Sequence, residues 1–264
     1  VDITPLAANA VKSGKTVTLP VTGTKPQTDS AKAPLIIVKT GNKSKVKVEI
    51  PVSGMNEGVA AVIVAADGSE KPLVNAVSSS KGIILSVADG EKIKIVDRAG
   101  TFSDVASGNW MSGPVAFVTS RDIFNGTGNG KFSPSAPMTR AMLMTVLARI
   151  DGADTAAAVG NWYDKSLKWA VEKKISDGTA PMASISREQL VTMLYRYAGQ
   201  PAVTDGSLSS FADASSVSDY AKTAMTWAVK NGIINGIDRK IAPKSNATRA
   251  QVAAMIQRYV KATA

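Results

Sequence analysis

Three arginines recur at one place in a repeated phrase: Thr139-Arg140-Ala141-Met142, Ser186-Arg187-Glu188-Gln189 and Thr248-Arg249-Ala250-Gln251. Each phrase opens an apolar stripe at helical spacing. The stripes are Leu143, Val146, Leu147 and Ile150; Leu190, Met193, Leu194 and Tyr197; Val252, Met255, Ile256 and Tyr259. The spacing predicts that each Arg stands in the first turn of an amphipathic helix. The hydroxyl residue before it is a natural N-cap, because its oxygen accepts an amide of that turn. A cation at this end of a helix opposes the macrodipole. Three copies of an unfavourable choice point to a job, and the simplest is to hold an anion beside the helix amides. The candidate ligand-binding residues are therefore Arg140, Arg187 and Arg249, with their caps Thr139, Ser186 and Thr248. The competing reading is internal: each Arg bridges to an acid of a neighbouring repeat, with Asp104 and Asp213 as the obvious partners.

Other chemistries lack the residues they need. The chain has no Cys and no His, which removes disulfides, thiol chemistry, Cys/His zinc sites and any triad built on either residue. Beyond residue 101 only Glu172 and Glu188 are glutamates, and no acid recurs in all three copies at a position fit for paired-carboxylate hydrolysis. No catalytic residue, metal site or cofactor is expected. The net charge is +10. It comes without a groove-reading or base-stacking motif, so nucleic acid is a poor partner and an anionic polymer a better one; plain solvation of the surface is the simpler alternative. The longest apolar run, residues 59–66, is too short to enter and cross a bilayer. Starting on Val1 rather than Met, the chain reads as a processed or truncated piece.

The elements that position the arginines come from an internal repeat. Asn109-Trp110 aligns with Asn161-Trp162, and the same register places Tyr220 opposite the two tryptophans. Phe117, Trp169 and Trp227 form a second aromatic column. Ile123, Ile175 and Ile233 follow, and then Asn125-Gly126, Asp177-Gly178 and Asn235-Gly236. A proline stands six residues before each Arg, at Pro134, Pro181 and Pro243. Each copy reads as a helix, a Gly/Pro loop and a second helix, with the Asn/Asp-Gly pair expected to end the first helix in a left-handed turn. Trp110, Trp162 and Tyr220 open the first helices, where a sugar ring would rest on an aromatic face or where the ring packs between helices. Phe117, Trp169 and Trp227 belong to the core. Phe102-x-Asp104 and Phe211-x-Asp213 introduce copies one and three; copy two lacks this opening. Residues 151–160 and 199–210 are small-residue connectors.

Residues 1–97 read as β. Seven short segments rich in Val and Ile, at 16–21, 35–39, 45–51, 59–65, 71–77, 82–87 and 92–96, are separated by turn signals such as Asp67-Gly68 and Asp89-Gly90. Lys45 to Ile50 alternates with period two, as a half-buried strand does. This half has no aromatic residue and no visible chemistry, and is expected to be a spacer.

Together, Phe-x-Asp, Trp, the Gly-rich loop, Phe132-Ser133-Pro134 and Thr-Arg-Ala resemble the surface-layer homology family in three tandem copies over roughly residues 102–261. The resemblance implies a helical bundle with pseudo-threefold symmetry that binds secondary cell wall polymers, often through a pyruvylated sugar, in grooves lined by the motif Arg and loop Gly. Those glycines are Gly126, Gly178 and Gly236. The expected fold class is thus multidomain α and β: an all-β sandwich-like domain at 1–97, then an all-α three-repeat bundle at 102–264 with repeats at about 102–151, 160–198 and 211–261. The expected partner is an acidic bacterial wall polysaccharide outside the cell, without nucleic acid or membrane insertion. Lattice contacts with other surface proteins form the structural alternative, and a wall-glycan hydrolase is a weaker one. Copy two departs from the pattern in reading Ser-Arg-Glu-Gln, and copy one carries Met142 where the family usually has Glu; at least one groove is expected to be weak.

Overall fold

The alternating segment folds as its pattern demands. In the computed structural model, which describes residues 1–21, 24–156 and 160–264, Val46, Val48 and Ile50 of strand β3 (Val46–Pro51) are buried, while Lys47 and Glu49 face outward in part. β3 lies in a four-stranded sheet in the order β1 (Val17–Thr18), β3, β7 (Gly82–Val87), β6 (Val77–Ser78). The second sheet has the order β2 (Ile36–Val38), β8 (Glu91–Asp97), β4 (Val59–Val64), β5 (Glu70–Pro72). All pairings are antiparallel except that of β1 with β3. The inward residues of both sheets, among them Val38, Ile50, Val59, Ile83, Leu85 and Ile93, share one core. Asp67-Gly68 turns β4 into β5, with Gly68 at φ 82°.

The expected fold class does not hold. The chain is mixed, 32% helical and 19% strand with two sheets of four strands each, and is not an all-β domain followed by an all-α three-repeat bundle. Helix α1 (Thr4–Ser13) stands in the segment read as all-β. Its buried face is Ala7 and Ala10, too small to mark an apolar stripe, and Gly14 stops it in a left-handed cap. The segment 71–77 is not one strand. β5 ends at Pro72, which has no N–H for a further rung, and the chain turns through Leu73 and Ala76 into β6 of the other sheet.

The remaining helices are α2 (Ser112–Ser120), α3 (Arg140–Ile150), α4 (Asp164–Glu172), α5 (Arg187–Tyr197), α6 (Lys222–Lys230) and α7 (Arg249–Thr263). They are joined by extended stretches that pair through β-bridges and by 3₁₀ turns at Ala214–Ser216 and Asp219–Ala221, which is why this part is not purely helical either. The left-handed residues that stop the first helices are Asp122, Lys174 and Gly232, not the Asn/Asp-Gly pairs. Within the connector at 151–160, residues 157–159 lie outside the described residues. The chain divides into two compact units, Val1–Lys131 with Val260–Ala264, and Phe132–Tyr259. No described helix is long and apolar enough to cross a membrane.

Candidate anion-binding site

All three arginines stand at the first position of their helices, in the unit Phe132–Tyr259. The caps are as the sequence predicts. Thr139 Oγ1 accepts from Met142 N at 3.2 Å, Ser186 Oγ from Gln189 N at 3.3 Å and Thr248 Oγ1 from Gln251 N at 3.3 Å. Gln189 and Gln251 return the bond to the cap amide, completing two capping boxes.

The stretches before the helices pair with one another in a closed circuit: Thr139 with Ser184, Ser186 with Asn246, and Pro137 with Thr248. In this circuit Arg140 N donates to Ala183 O, Arg187 N to Ser245 O and Arg249 N to Ala136 O. The next amides, of Ala141, Glu188 and Ala250, donate to the carbonyls of Pro181, Pro243 and Pro134. The first three amides of each helix are therefore satisfied by the protein itself, so the amide cradle expected from an open helix end is already filled. What remains to meet an anion is the guanidinium.

The three guanidinium groups are anchored alike and finished differently. Each Nε donates to a loop carbonyl of another copy: Arg140 to Thr179 O at 2.9 Å, Arg187 to Ile241 O at 2.8 Å, Arg249 to Phe132 O at 2.7 Å. At its end Arg140 pairs with Asp177 at 2.7 Å and donates to Ser176 Oγ at 3.2 Å. Arg249 lies over the Phe132 ring, 4.6 Å from its centroid. Arg187, 6% exposed, has no hydrogen-bond or ion-pair partner for its two end nitrogens among the described residues. Burial pushes the Arg187 pKa down and the nearby Asp213 charge pulls it back. A buried cation is costly unless an opposite charge or hydrogen-bond acceptors meet it.

Asp213 acts on Arg187 through its charge and through the loop rather than by a direct bond. Asp213 accepts from Ile241 N at 3.0 Å and Ala242 N at 2.8 Å, and so braces the loop whose carbonyl holds Arg187. Asp177, of the Asp-Gly pair in copy two, pairs with Arg140.

The aromatic and glycine columns separate. Trp110, Trp162 and Tyr220 are 59%, 43% and 57% exposed, whereas Phe117 and Trp227 are buried. The loop glycines face protein. A Cβ on Gly236 would stand 2.7 Å from the Phe211 ring, and one on Gly126 would stand 2.9 Å from the Phe102 ring. Gly178 packs on Val171 and Leu167, in the copy that has no Phe-x-Asp opening. Their nearest neighbours are thus the opening phenylalanines and their substitutes.

One cluster went unread in the sequence. Glu188, 3% exposed, accepts from Lys244 Nζ at 2.7 Å, Ser218 N at 3.0 Å, Ser218 Oγ at 2.9 Å and Tyr220 OH at 3.1 Å. Lys244 Nζ also donates to Ser218 Oγ. The signal was present as a paired departure. Glu188 stands where the other copies have Ala141 and Ala250, and Lys244 follows Pro243 where Met182 and Ser135 follow Pro181 and Pro134.

These bonds set a pH dependence. Burial alone raises the Glu188 pKa, but the donors from Lys244, Ser218 and Tyr220 outweigh it and hold the carboxyl below its ordinary value. Asp213 is likewise raised by burial and held low by the amides of Ile241 and Ala242. A carboxylate with a depressed folded pKa stabilises the fold above its unfolded pKa, about 4, and loses that contribution as pH falls through the folded value. Melting temperature is expected to be level from pH 7 to about 5 and to fall below about 4. Glu188→Gln and Asp213→Asn should flatten that acid limb; an unchanged limb in both variants would show that other groups govern it.

Comparison with known proteins gives a family match at two stretches, which hold Arg140 and Arg249. The S-layer homology domain family model matches residues 101–141 and 210–253. These are the two stretches that carry the Phe-x-Asp opening. Over 172 residues, 59% of this chain, the sequence is 30% identical to an amylopullulanase of Thermoanaerobacterium thermosulfurigenes, of which it covers 9%. It is 27% identical to a surface-layer 125 kDa protein of Lysinibacillus sphaericus, covering 53% of this chain and 13% of that protein. It is 29% identical to a cellulosome-anchoring protein of Acetivibrio thermocellus, covering 36% of this chain and 25% of that protein. The chain thus spans a quarter or less of each of these relatives.

Proposed function

We propose that the chain anchors a bacterial surface protein to the cell wall through three tandem repeats of the S-layer homology type, at about 102–151, 160–198 and 211–261. It does so non-covalently, by binding an acidic wall polysaccharide. Its location is extracellular, at the cell wall or surface layer. The glycosidase names of some relatives belong to much longer proteins, of which this chain covers 9–18%. The role proposed here is adhesion rather than catalysis.

The observation that carries the reading is the buried Arg187 guanidinium, whose two end nitrogens have no hydrogen-bond partner among the described residues. A carboxylate on the glycan, such as a pyruvate substituent, would accept both nitrogens side by side, the geometry guanidinium offers best. A neutral sugar would leave the cation desolvated and unpaired, so selectivity for the acid follows. Exposed Tyr220 and Trp162 supply aromatic faces for apolar sugar C–H groups.

The test compares sedimentation of the protein with native wall polymer and with polymer stripped of its acidic substituents. Binding is expected to the first and lost with the second. Equal binding to both would refute recognition through the acid. Self-association without any polymer, read by light scattering, would favour lattice assembly instead.

A further inference from the structure

The Glu188 cluster has the form of an occupied binding site. Four donors from three separate side chains and one amide converge on a single carboxylate: Lys244 Nζ, Ser218 N, Ser218 Oγ and Tyr220 OH. The donors come from two places outside the helix that carries the acid, the 3₁₀ turn Asp219–Ala221 with the residue before it, and the residue after Pro243. The donor set is more than one ion pair needs. It meets both oxygens of the carboxylate, Oε1 from Lys244, Ser218 Oγ and Tyr220, and Oε2 from Ser218 N. A free carboxylate would find the same match.

The backbone register shows that the occupant is peculiar to one copy. The amides of Ala141, Glu188 and Ala250 make the same bond to the carbonyls of Pro181, Pro243 and Pro134. The positions are therefore equivalent, and only one of the three carries an acid. The matching base is likewise confined to the same junction, since Met182 and Ser135 stand where Lys244 does. Tyr220 is 57% exposed while its hydroxyl is held by the buried Glu188. One of the exposed aromatic residues is thus tied to a carboxylate that the protein itself provides.

We infer that Glu188 is a built-in ligand: its side chain fills a carboxylate-binding cradle made by Lys244, Ser218 and Tyr220, and keeps that cradle closed to acidic sugars. Truncating it to alanine opens a site for small carboxylates and, on the reading of function given above, for the acidic substituent of the wall polymer. The inference as to the sugar rests on that reading; the inference as to the carboxylate does not.

The experiment uses the full chain with Glu188→Ala and acetate as the probe. Melting temperatures are recorded at pH 7 in chloride and in acetate at equal ionic strength. With acetate about tenfold above its dissociation constant, the variant is expected to gain about 4 °C beyond any shift of the wild type. Glu188→Gln, whose amide still fills the space, should gain nothing extra, and Glu188→Ala with Lys244→Ala should lose the gain. Equal shifts in wild type and Glu188→Ala, or a gain that survives loss of Lys244, would overturn the inference. If Glu188→Ala does not fold in chloride, acetate-dependent recovery of its far-ultraviolet helix signal is the readout, and no recovery overturns it. A titration with a pyruvylated sugar should find one more equivalent bound by Glu188→Ala than by wild type. Acetate rescue without that extra equivalent would sink the wall-polymer reading of this cradle and leave the carboxylate cradle standing.

Discussion

Arg187→Ala is expected to weaken binding to acidic wall polymer by about ten- to a hundred-fold, the loss that follows from removing a charge-assisted hydrogen-bonded pair worth about 1.5–3 kcal/mol. The argument is comparative. Arg140 is engaged by Asp177 at 2.7 Å, so a ligand must compete with an acid already in place. Arg140→Ala should therefore cost less than about threefold, since its ion pair is open to water on the Asp177 side and such pairs are worth little. Arg187 makes no direct ion pair among the described residues, only the longer-range attraction of Asp213, and its burial strengthens any charge interaction it makes. Arg187→Lys separates charge from geometry. It keeps the cation but loses both the Nε bond to Ile241 O and the paired end nitrogens, so most of the loss should remain. Binding isotherms on variants whose circular dichroism and melting match the wild type decide the matter. An Arg187→Ala protein that is folded and binds normally would remove the central support of the proposed mechanism.

Part of this site was legible in the residues alone, for a physical reason. Helix starts depend on short-range groups, so Thr139, Ser186 and Thr248 announced them, and the apolar stripes named the buried faces, with Leu143, Leu190 and Val252 fully enclosed. The strand alternation of Lys45 to Ile50 was equally local. What failed to show was long-range or backbone-mediated. The carbonyls of Thr179, Ile241 and Phe132 that anchor the arginines carry no sequence signature, because every residue has a carbonyl. The left-handed stops at Asp122 and Lys174 use residues that tolerate positive φ only under constraint from the surrounding chain. Helix α1 hid behind a face of alanines, and the all-β expectation for residues 1–97 failed there. The Glu188–Lys244 pair was visible as two departures from the repeat, but its meaning needed the Pro-carbonyl register that makes the two positions neighbours.

Arg121→Ala is expected to destabilise the unit Val1–Lys131 by about 3 kcal/mol, a fall in melting temperature on the order of 10 °C. Arg121 follows α2 and is 3% exposed. Its guanidinium donates to Ala76 O at 2.8 Å, Val59 O at 3.2 Å and Phe117 O at 3.3 Å, and to Ser120 Oγ at 3.0 Å. It also lies 3.8 Å from the centroid of the Phe117 ring. Burial pushes its pKa down to about 10, and the Glu57 charge pulls the other way; it therefore stays charged at neutral pH. No carboxylate closes on it among the described residues. The cation is held by carbonyl dipoles, which join the helix to the strand β4 and the turn before β6. Removing it takes the guanidinium donors from the carbonyls of Ala76 and Val59, and each buried acceptor left unmet costs about 1–3 kcal/mol. Arg121→Met separates the two contributions. It preserves contact with the Phe117 ring but supplies no donor, so a loss close to that of alanine would assign the effect to the carbonyls. A melting temperature near the wild type for both variants would mean that the carbonyls find other donors and that this arginine does not hold the helix to the sheets.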